Sequence, residues 1–386
     1  MRVVLWFVCV AALTACTGSP AVNRATQFQT EIDRIREQYG FPGMTAAYVL
    51  RDGTSGSAAS GLAELEAAVP MKQKPRMLAA STGKSFVGAL CIALASEGRL
   101  AFDEPVSRWL GQYAWFMRLP NHESMTLRQL LTHSAGLPDH VHMEAFQHAF
   151  AKEWQATNNP FPPTRLLEFI LDKDPLFPAG QGWAYSDTGY ILAGMVAEEV
   201  TGRAYYDEIR ERFLQPLGLG DTSPADQRAL DRLATGYMSP DNPFGLPART
   251  VDENHHLTWH PGVEWTGGGW VSTSRDLAHW GAALFTGKAM AGDYRPELLK
   301  SVAIDPKVAG LRYGAGVAIY TSDRFGPVYG HAGWIPGYIS SFRYYKNSGV
   351  TIALQVNTDT GAISSDQDAL KTIEERIVQV LLRENE

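Results

Sequence analysis

A serine and a lysine stand three residues apart in Ser81-Thr82-Gly83-Lys84, the segment with the clearest potential for covalent chemistry. Residues at this spacing on a helix share one face, with Cβ atoms about 5–6 Å apart. A serine hydroxyl is a weak nucleophile until a neighbouring base or cation activates it. The pair therefore meets the minimum requirement for acyl transfer, with Ser81 as the candidate nucleophile.

The residues around this pair indicate a buried helix. Apolar side chains occupy 77–80 and most of 86–94, on nearly all sides of the predicted helix. Because an isolated buried charge is costly, Lys84 needs a partner there. The helix N-terminus would also direct backbone N–H groups at a developing oxyanion. A phosphate-binding loop is excluded, since Leu78 stands where that motif requires its first glycine.

Two later tripeptides complete the candidate set: Tyr185-Ser186-Asp187 and His331-Ala332-Gly333. In this order and at this spacing, the three motifs resemble those of the serine β-lactamase and penicillin-binding protein superfamily. The chain is most similar to the branch that holds class C β-lactamases, D-alanyl-D-alanine carboxypeptidases and related esterases. Connecting segments at 130–138 and 267–273 also match. The resemblance runs from about Glu31 to the C-terminus.

The resemblance implies a role for each motif residue. Ser81 would form the acyl-enzyme, Lys84 would help remove its proton, and Tyr185 would act as the base in acylation and deacylation. The backbone N–H groups of Ser81 and Trp334 would form the oxyanion hole. His331 would orient a substrate carboxylate or steady the tyrosine. The substrate-binding positions implied in this way are Asp187, His331 and Gly333.

Two positions depart from the family pattern. Relatives usually carry asparagine where this chain has Asp187, and an ionised aspartate can only accept hydrogen bonds. We expect Asp187 to pair with Lys84 and keep it protonated, which moves proton removal toward Tyr185. This favours esters over peptide amides and β-lactams. His331 replaces a common lysine, and with a reference pKa of about 6.5 it would hold a carboxylate less firmly.

Other residues allow simpler interpretations. Tyr185 could be a half-buried core tyrosine, but its motif favours catalysis. His133 is predicted to hold a loop by hydrogen bonds, whereas Asn357 either faces the cleft or ends a strand. Two histidine clusters are interpreted as solvated loops, so no catalytic metal and no cofactor are predicted. The clustered histidines are His140, His142, His148, His255, His256 and His260.

The N-terminus predicts where the protein works. Arg2 precedes an apolar run at 3–13 that is too short to span a bilayer, and Leu13-Thr14-Ala15-Cys16 resembles the bacterial lipobox. The prediction is a lipoprotein signal peptide at 1–15 and a lipid anchor on Cys16. The chain would then sit in the bacterial cell envelope, on the periplasmic face of the outer membrane. An ordinary signal with a chance cysteine is the alternative.

Composition and pattern define the domain organisation. With 386 residues, 45% hydrophobic residues and a net charge of −7 without a basic run, the chain is globular and has no nucleic-acid partner. Residues 16–25 are predicted to be a polar tether. Residues 26–75 and 261–386 would form a discontinuous α/β domain, an antiparallel sheet flanked by helices. Residues 76–260 would form an inserted, mostly helical domain that carries the Ser81 helix, with the site between the two.

Several elements are predicted individually. Residues 44–50 and 57–63 should form a hairpin around Asp52-Gly53. Apolar residues recur at helical spacing at 28–39 and again at 370–381. Strand-like runs return after residue 260, the first at 270–272. Once Cys9 and Cys16 are assigned to the N-terminus, Cys91 is left without a disulfide partner and should be a small buried apolar residue.

The sequence thus predicts a membrane-tethered serine hydrolase that acts through an acyl-enzyme. The expected substrate is a small molecule or a peptidoglycan-derived compound: an ester, a D-amino-acid peptide or a β-lactam, in that order. The rival hypothesis is a binding or sensor protein that keeps the fold, recognises peptidoglycan and has little or no turnover. The joint presence of Ser81, Lys84 and Tyr185 argues against the rival.

Overall fold

A computed structural model describes residues 20–72, 74–361, 363 and 368–383. The helices in these ranges are α1 Pro20–Tyr39, α2 Lys84–Ser96, α3 Ser107–Leu110, α4 Leu127–Leu131, α5 Glu144–Glu153, α6 Pro163–Glu168, α7 Asp187–Thr201, α8 Tyr205–Ile209, α9 Trp265–Gly268, α10 Ser274–Thr286, α11 Arg295–Leu298 and α12 Ala369–Leu382. The strands are β1 Gly43–Val49, β2 Ser55–Glu64, β3 Val69–Pro70, β4 Met77–Leu78, β5 Ser223–Pro224, β6 Trp270–Ser272, β7 Val302–Ala303, β8 Arg312–Tyr313, β9 Ala318–Ser322, β10 Gly326–Ile335, β11 Tyr338–Tyr345 and β12 Val350–Val356.

Strands from the two ends of the chain form one antiparallel sheet. Its order is β3-β2-β1-β12-β11-β10-β9-β8-β7 within the described residues. The N-terminal strand β1 pairs with the C-terminal strand β12, with Ala46 opposite Leu354. The predicted hairpin is present as β1 and β2, with Ala46 opposite Ala58. The fold class expected from the sequence, an antiparallel sheet flanked by helices in an α/β protein, is confirmed.

Helices cover both faces of the sheet. Because side chains alternate between the faces of a strand, Ala46 and Ala47 of β1 belong to two different apolar cores. On one face Phe28 of α1 and Ile373 of α12 pack with Ala46. On the other face α10 packs against β1, β11 and β12, and the core continues into the helical region. Helices α1 and α12 correspond to the two periodic segments predicted from the sequence.

Two expectations need correction. Helix α1 begins at Pro20, so residues 20–25 are helical and not part of a tether. Proline is tolerated in the first helical turn, and residues 20–25 extend a helix whose buried face starts at Phe28. The run at 270–272, assigned to the sheet domain, pairs instead with β4 and β5 in a small separate sheet. Cys9 and Cys16 lie outside the described residues. Cys91 is buried and free.

No helix among the described residues is long and apolar enough to cross a membrane.

Candidate active site

Ser81 lies on the short 3-10 turn Ala80–Gly83, which leads directly into α2 at Lys84. Ala80 has a φ of 49°, a left-handed conformation that a non-glycine residue adopts only when its surroundings enforce it. Two backbone groups of the preceding residue, Ala79, form hydrogen bonds with the sheets. The N–H of Ala79 donates to the carbonyl of Trp270 at 2.8 Å, and Ser340 Oγ donates to the carbonyl of Ala79 at 2.5 Å. The small sheet and the large sheet together fix the position of the serine.

The Lys84 ammonium group is fully buried and donates to three acceptors. Its Nζ lies 3.0 Å from Ser81 Oγ, and it also donates to Asp187 Oδ1 and to the carbonyl of Gly267. The ion pair expected from the sequence is therefore present. Burial by itself would lower the pKa of Lys84, but the charge of Asp187 and the contact with Tyr185 outweigh it and raise the pKa. Lys84 is a cation in the resting site and a hydrogen-bond donor to Ser81.

Tyr185 closes the polar centre from the other side. Its ring centroid is 5.1 Å from Lys84 Nζ, and the side chains of Ser81 and Lys84 both act on the pKa of its hydroxyl. Burial raises the pKa of Tyr185 to about 12, although the Lys84 charge acts in the opposite direction. The structure thus brings together the three residues that the sequence assigns to catalysis, with the lysine and the phenol both protonated at neutral pH.

His331 is buried and uncharged. Its Nδ1 contacts the carbonyl of Ala332, which assigns the ring proton to Nδ1, so Nε2 accepts a 2.6 Å hydrogen bond from the Tyr313 hydroxyl. Burial and the Lys84 charge lower the pKa of His331 to about 3. A neutral ring with both nitrogens engaged does not suit a substrate carboxylate. Of the two roles considered for His331, the structure favours that of steadying Tyr185, whose ring also contacts Tyr313.

The candidate oxyanion hole lies where the turn of Ser81 meets β10. Strand β9 pairs with β10 only as far as Gly330, so residues 331–335 present a free edge on that side, against which the turn packs. A Cβ added to Gly333 would come within 2.9 Å of the Ser81 nitrogen and 2.6 Å of the Ala79 carbonyl oxygen. Glycine is therefore required at this close approach, and the two expected amides, of Ser81 and Trp334, lie on adjoining backbone segments.

The side chains of His133 and Asn357 form hydrogen bonds with backbone groups. His133 Nδ1 accepts a hydrogen bond from the N–H of Ser186 at 3.1 Å, and its ring centroid is 4.1 Å from that of Tyr185. Burial lowers the pKa of His133 well below its usual value. Asn357 Nδ2 donates to the carbonyls of Leu62 and Thr235 at 3.1 and 2.9 Å. His133 thus positions the Tyr185 loop, and Asn357 ties a strand end to its neighbours.

Two depressions meet at Ser81. The first has a volume of about 650 Å³, including the solvent at its mouth, and its wall is mostly apolar. The second is an open groove of about 1200 Å³ that includes Tyr185, His331 and Asp139. The aromatic residues of the first pocket are Phe146, Phe150, Phe244, Trp259 and Trp334.

One clustered histidine is not solvated as expected. His140 is buried in the wall of the apolar pocket, and its backbone N–H donates to Thr188 Oγ1 at 3.0 Å. His142, two residues further along the 3-10 turn His140–His142, is exposed as expected. Across the described ranges, no group of three His, Cys, Asp or Glu side chains is arranged to hold a metal ion.

Acidic side chains line both depressions. Burial raises the pKa of Asp139 to about 8 and that of Glu264 to about 7, and the Asp187 charge adds to both shifts. Neither lining contains an arginine or a lysine from the described part of the chain. The Lys84 cation lies behind Ser81 and is already paired. The lining therefore offers an anionic substrate no free cationic side chain.

Sequence reasoning did not identify Tyr313 or Glu264. Tyr313 reaches His331 because β8, β9 and β10 are neighbours in the sheet, a long-range arrangement without a local signature. Glu264 could have been considered from its position beside the glycine-rich segment that follows it. Its environment, however, also includes Ser81, His140 and Asp187, which are distant from it in the sequence.

Fold and site together define a serine hydrolase of the β-lactamase type. The family model described as Beta-lactamase matches residues 28–374, and the chain belongs to this family.

Three known proteins illustrate the range of its relatives. The chain is 25% identical over 354 residues to Penicillin-binding protein 4* of Bacillus subtilis, covering 87% of this chain and 72% of the relative. It is 31% identical over 171 residues to Esterase EstB of Burkholderia gladioli, covering 42% of each. The structure of a D-amino acid amidase from Ochrobactrum anthropi SV3, complexed with D-phenylalanine, is similar at a TM-score of 0.76 and 26% identity. That match covers 94% of this chain and 100% of the amidase.

Proposed function

We propose that this protein hydrolyses carboxylic esters through an acyl-enzyme on Ser81, with an apolar part of the substrate in the aromatic-lined pocket. The observation that carries the proposal is the contact of Ser81 Oγ with Lys84 at the meeting point of two depressions. One depression is large enough for a small ligand and mostly apolar, as binding pockets usually are.

The charge of the site supports esters over β-lactams and D-alanyl-D-alanine peptides. Penicillins and peptides ending in D-alanine carry a free carboxylate. The lining offers such a group only the neutral His331, together with the acidic residues Asp139, Asp187 and Glu264. An ester needs no cationic contact, and the name of one relative, Esterase EstB, agrees with this substrate class.

The proton transfers follow from the protonation states. Ser81 Oγ attacks the ester carbonyl carbon while the Tyr185 oxygen, as the phenolate, takes the serine proton. Tyr185 returns that proton to the departing alcohol. In deacylation it takes a proton from the water that attacks the acyl-enzyme and gives it to Ser81 Oγ as the acid leaves. Lys84 stays charged throughout and stabilises the phenolate. Because the resting phenol is protonated, the reactive form is a minor one that grows with pH.

A fluorescent fluorophosphonate probe and a substrate panel test the proposal. We expect labelling of the wild type but not of Ser81→Ala. We also expect kcat/KM for p-nitrophenyl butyrate or phenylacetate to exceed that for nitrocefin by about 100-fold or more. Absence of labelling and of ester turnover would favour the rival binding protein. Faster turnover of nitrocefin than of any ester would overturn the preference for esters.

We further propose that a lipid on Cys16 tethers the enzyme to the bacterial cell envelope, where a peptidoglycan-derived ester would be accessible to it. Several acyl chains contribute about 0.8 kcal/mol per buried CH₂ group, which is sufficient for stable anchoring. The Cys16→Ser variant should move the protein from the membrane fraction to the soluble fraction. Membrane association that survives this substitution would contradict the anchor.

A further inference from the structure

Glu264 has an unusual position in the wall of the apolar pocket beside Ser81. Its carboxyl group makes no hydrogen bond and no ion pair with any residue the structure describes, whereas Lys84 and Asp187 are paired with each other. Most of the surrounding wall is apolar, including Val263 and Ile191. A half-buried carboxylate without a partner has an unfavourable desolvation free energy. A cationic group of the ligand that pairs with it would offset this free energy.

Hydrogen bonds fix the backbone of Glu264 relative to the nucleophile. The N–H of Glu264 donates to the carbonyl of Pro261 at 3.1 Å, and its own carbonyl accepts from the N–H of Gly267 at 2.6 Å. The carbonyl of Gly267 in turn accepts from Lys84, which contacts Ser81. The same turn therefore carries Glu264 and holds the catalytic lysine, so the backbone of Glu264 has a fixed position relative to Ser81.

The groups that face Glu264 do not neutralise it. Asp187 at the start of α7 repels it, and Lys84 at the start of α2 is occupied by Asp187. His140 on the opposite wall is uncharged, since burial lowers its pKa to about 4. Tyr206 on α8 donates its hydroxyl to the carbonyl of Gly269. A cationic group on the ligand is therefore the natural partner for Glu264.

We propose that Glu264 binds an ammonium group of the substrate. The preferred acyl donors are then esters or amides of α-amino acids with an apolar side chain, in preference to the same compounds without the amine. The inference rests on the proposed function, because it places the amine next to an acyl group that Ser81 attacks. The mostly apolar wall of this pocket, with Phe146, Phe150 and Trp259, suits an apolar side chain of the acyl donor.

Binding to an inactive enzyme tests the assignment without requiring turnover. Phenylalaninamide, as each enantiomer, and 3-phenylpropanamide are titrated calorimetrically into Ser81→Ala and into the same protein with Glu264→Gln. We expect Glu264→Gln to weaken binding of the better-bound enantiomer of phenylalaninamide by about tenfold or more, since the glutamine carboxamide cannot form an ion pair with the ammonium group. The dissociation constant of 3-phenylpropanamide, which lacks the amine, should change by less than about twofold.

The matched control is Glu168→Gln, which alters an exposed carboxylate on α6 that lines neither depression. This control substitution should leave the dissociation constants of both amides unchanged. Equal weakening of both amides by Glu264→Gln, or no weakening of phenylalaninamide, would overturn the assignment.

Turnover separates this inference from the proposed function. The substrates are phenylalanine methyl ester and methyl 3-phenylpropanoate, which differ only in the amine. We expect the wild type to have the higher kcat/KM for the amino ester. Glu264→Gln should lower kcat/KM for that ester by about tenfold and not for the ester without the amine. Equal turnover of both esters would overturn the role of Glu264 while leaving the ester hydrolase in place. Discrimination in the binding experiment without any turnover would overturn the hydrolase while retaining the amine site.

Discussion

Two buried ion pairs of this protein have opposite surroundings. Arg343 on β11 and Glu374 on α12 join the sheet to the C-terminal helix, and both Oε atoms accept from Nε at 3.1 Å. Glu374 is only 1% exposed. Lys84 is fully buried as well, but the side chain of its partner Asp187 is 18% exposed and lines both depressions. The first pair is closed on all sides, whereas the second meets a nucleophile and substrate space.

The difference shows how the same interaction serves two purposes. A buried ion pair compensates the cost of desolvating its members, and removing one partner leaves an uncompensated charge. At Arg343 and Glu374 the consequence of pairing is confined to packing. At Lys84 and Asp187 the pairing also determines which groups of the site are protonated, and hence which atom can take the serine proton. The predictions below separate these consequences.

The largest expected effect concerns Lys84. Lys84→Met removes the cation that contacts Ser81 and stabilises the Tyr185 phenolate, so kcat/KM for p-nitrophenyl esters should fall by about 10⁴-fold or more. Because Asp187 retains contact with solvent, the free energy of unfolding should change by no more than about 2 kcal/mol. Ester kinetics and urea denaturation of the same variant measure both values. Activity within tenfold of the wild type would show that Lys84 is not required.

At the pair of Arg343 and Glu374 we expect the reverse, a loss of stability without a loss of activity. Glu374→Leu leaves the Arg343 charge buried without a partner, which should lower the free energy of unfolding by about 3–5 kcal/mol. Ester kcat/KM of the folded protein should stay within about twofold of the wild type. Arg118→Ala, which breaks a well exposed ion pair with Asp172, is the control and should leave the urea midpoint unchanged. A loss of activity without a loss of stability in Glu374→Leu would refute the contrast.

The pH dependence tests the protonation states. Since burial raises the pKa of Tyr185 to about 12, the phenolate fraction grows as pH rises through the alkaline range. Above pH 8, kcat/KM for a neutral ester should therefore increase about tenfold per pH unit, after subtraction of uncatalysed hydrolysis. Asp139, with a pKa raised to about 8, titrates nearby, so Tyr185→Phe is the control and should abolish the increase. A plateau from pH 7 upward would show that a different base acts.

The smallest expected effect concerns Asp187. Asp187→Asn supplies a hydrogen-bond donor for an amide carbonyl, and one such bond contributes about 1 kcal/mol. The ratio of nitrocefin acylation to ester hydrolysis should then rise about fivefold, since 1.4 kcal/mol corresponds to a factor of ten. Stopped-flow kinetics with both substrates measures this ratio. An unchanged ratio would remove the argument that Asp187 suppresses amide chemistry.

Local patterns made part of this molecule predictable. The spacing of Ser81 and Lys84 depends only on helix geometry, and the β1–β2 hairpin follows from alternating residues around a turn. The expected pairing of Lys84 with Asp187 followed from the chemistry of an aspartate in place of asparagine.

Other features arise from long-range packing. The run at 270–272 has the composition of a strand, but its partners β4 and β5 are set by how the serine turn docks. The pairing of Tyr313 with His331 depends on the sheet order, and the isolation of Glu264 depends on several distant apolar side chains. No periodicity in a single segment carries such information. Groups that tune a site are therefore harder to predict from sequence than the residues that carry out its chemistry.

Trapping of the acyl-enzyme tests the central claim most directly. The wild type is mixed with p-nitrophenyl butyrate, quenched with acid within the first turnover, digested and analysed by mass spectrometry. We predict a butyryl group on Ser81 in the wild type and none at this position in Ser81→Ala. Hydrolysis that proceeds without any adduct on Ser81, or with the acyl group on another residue, would contradict the account.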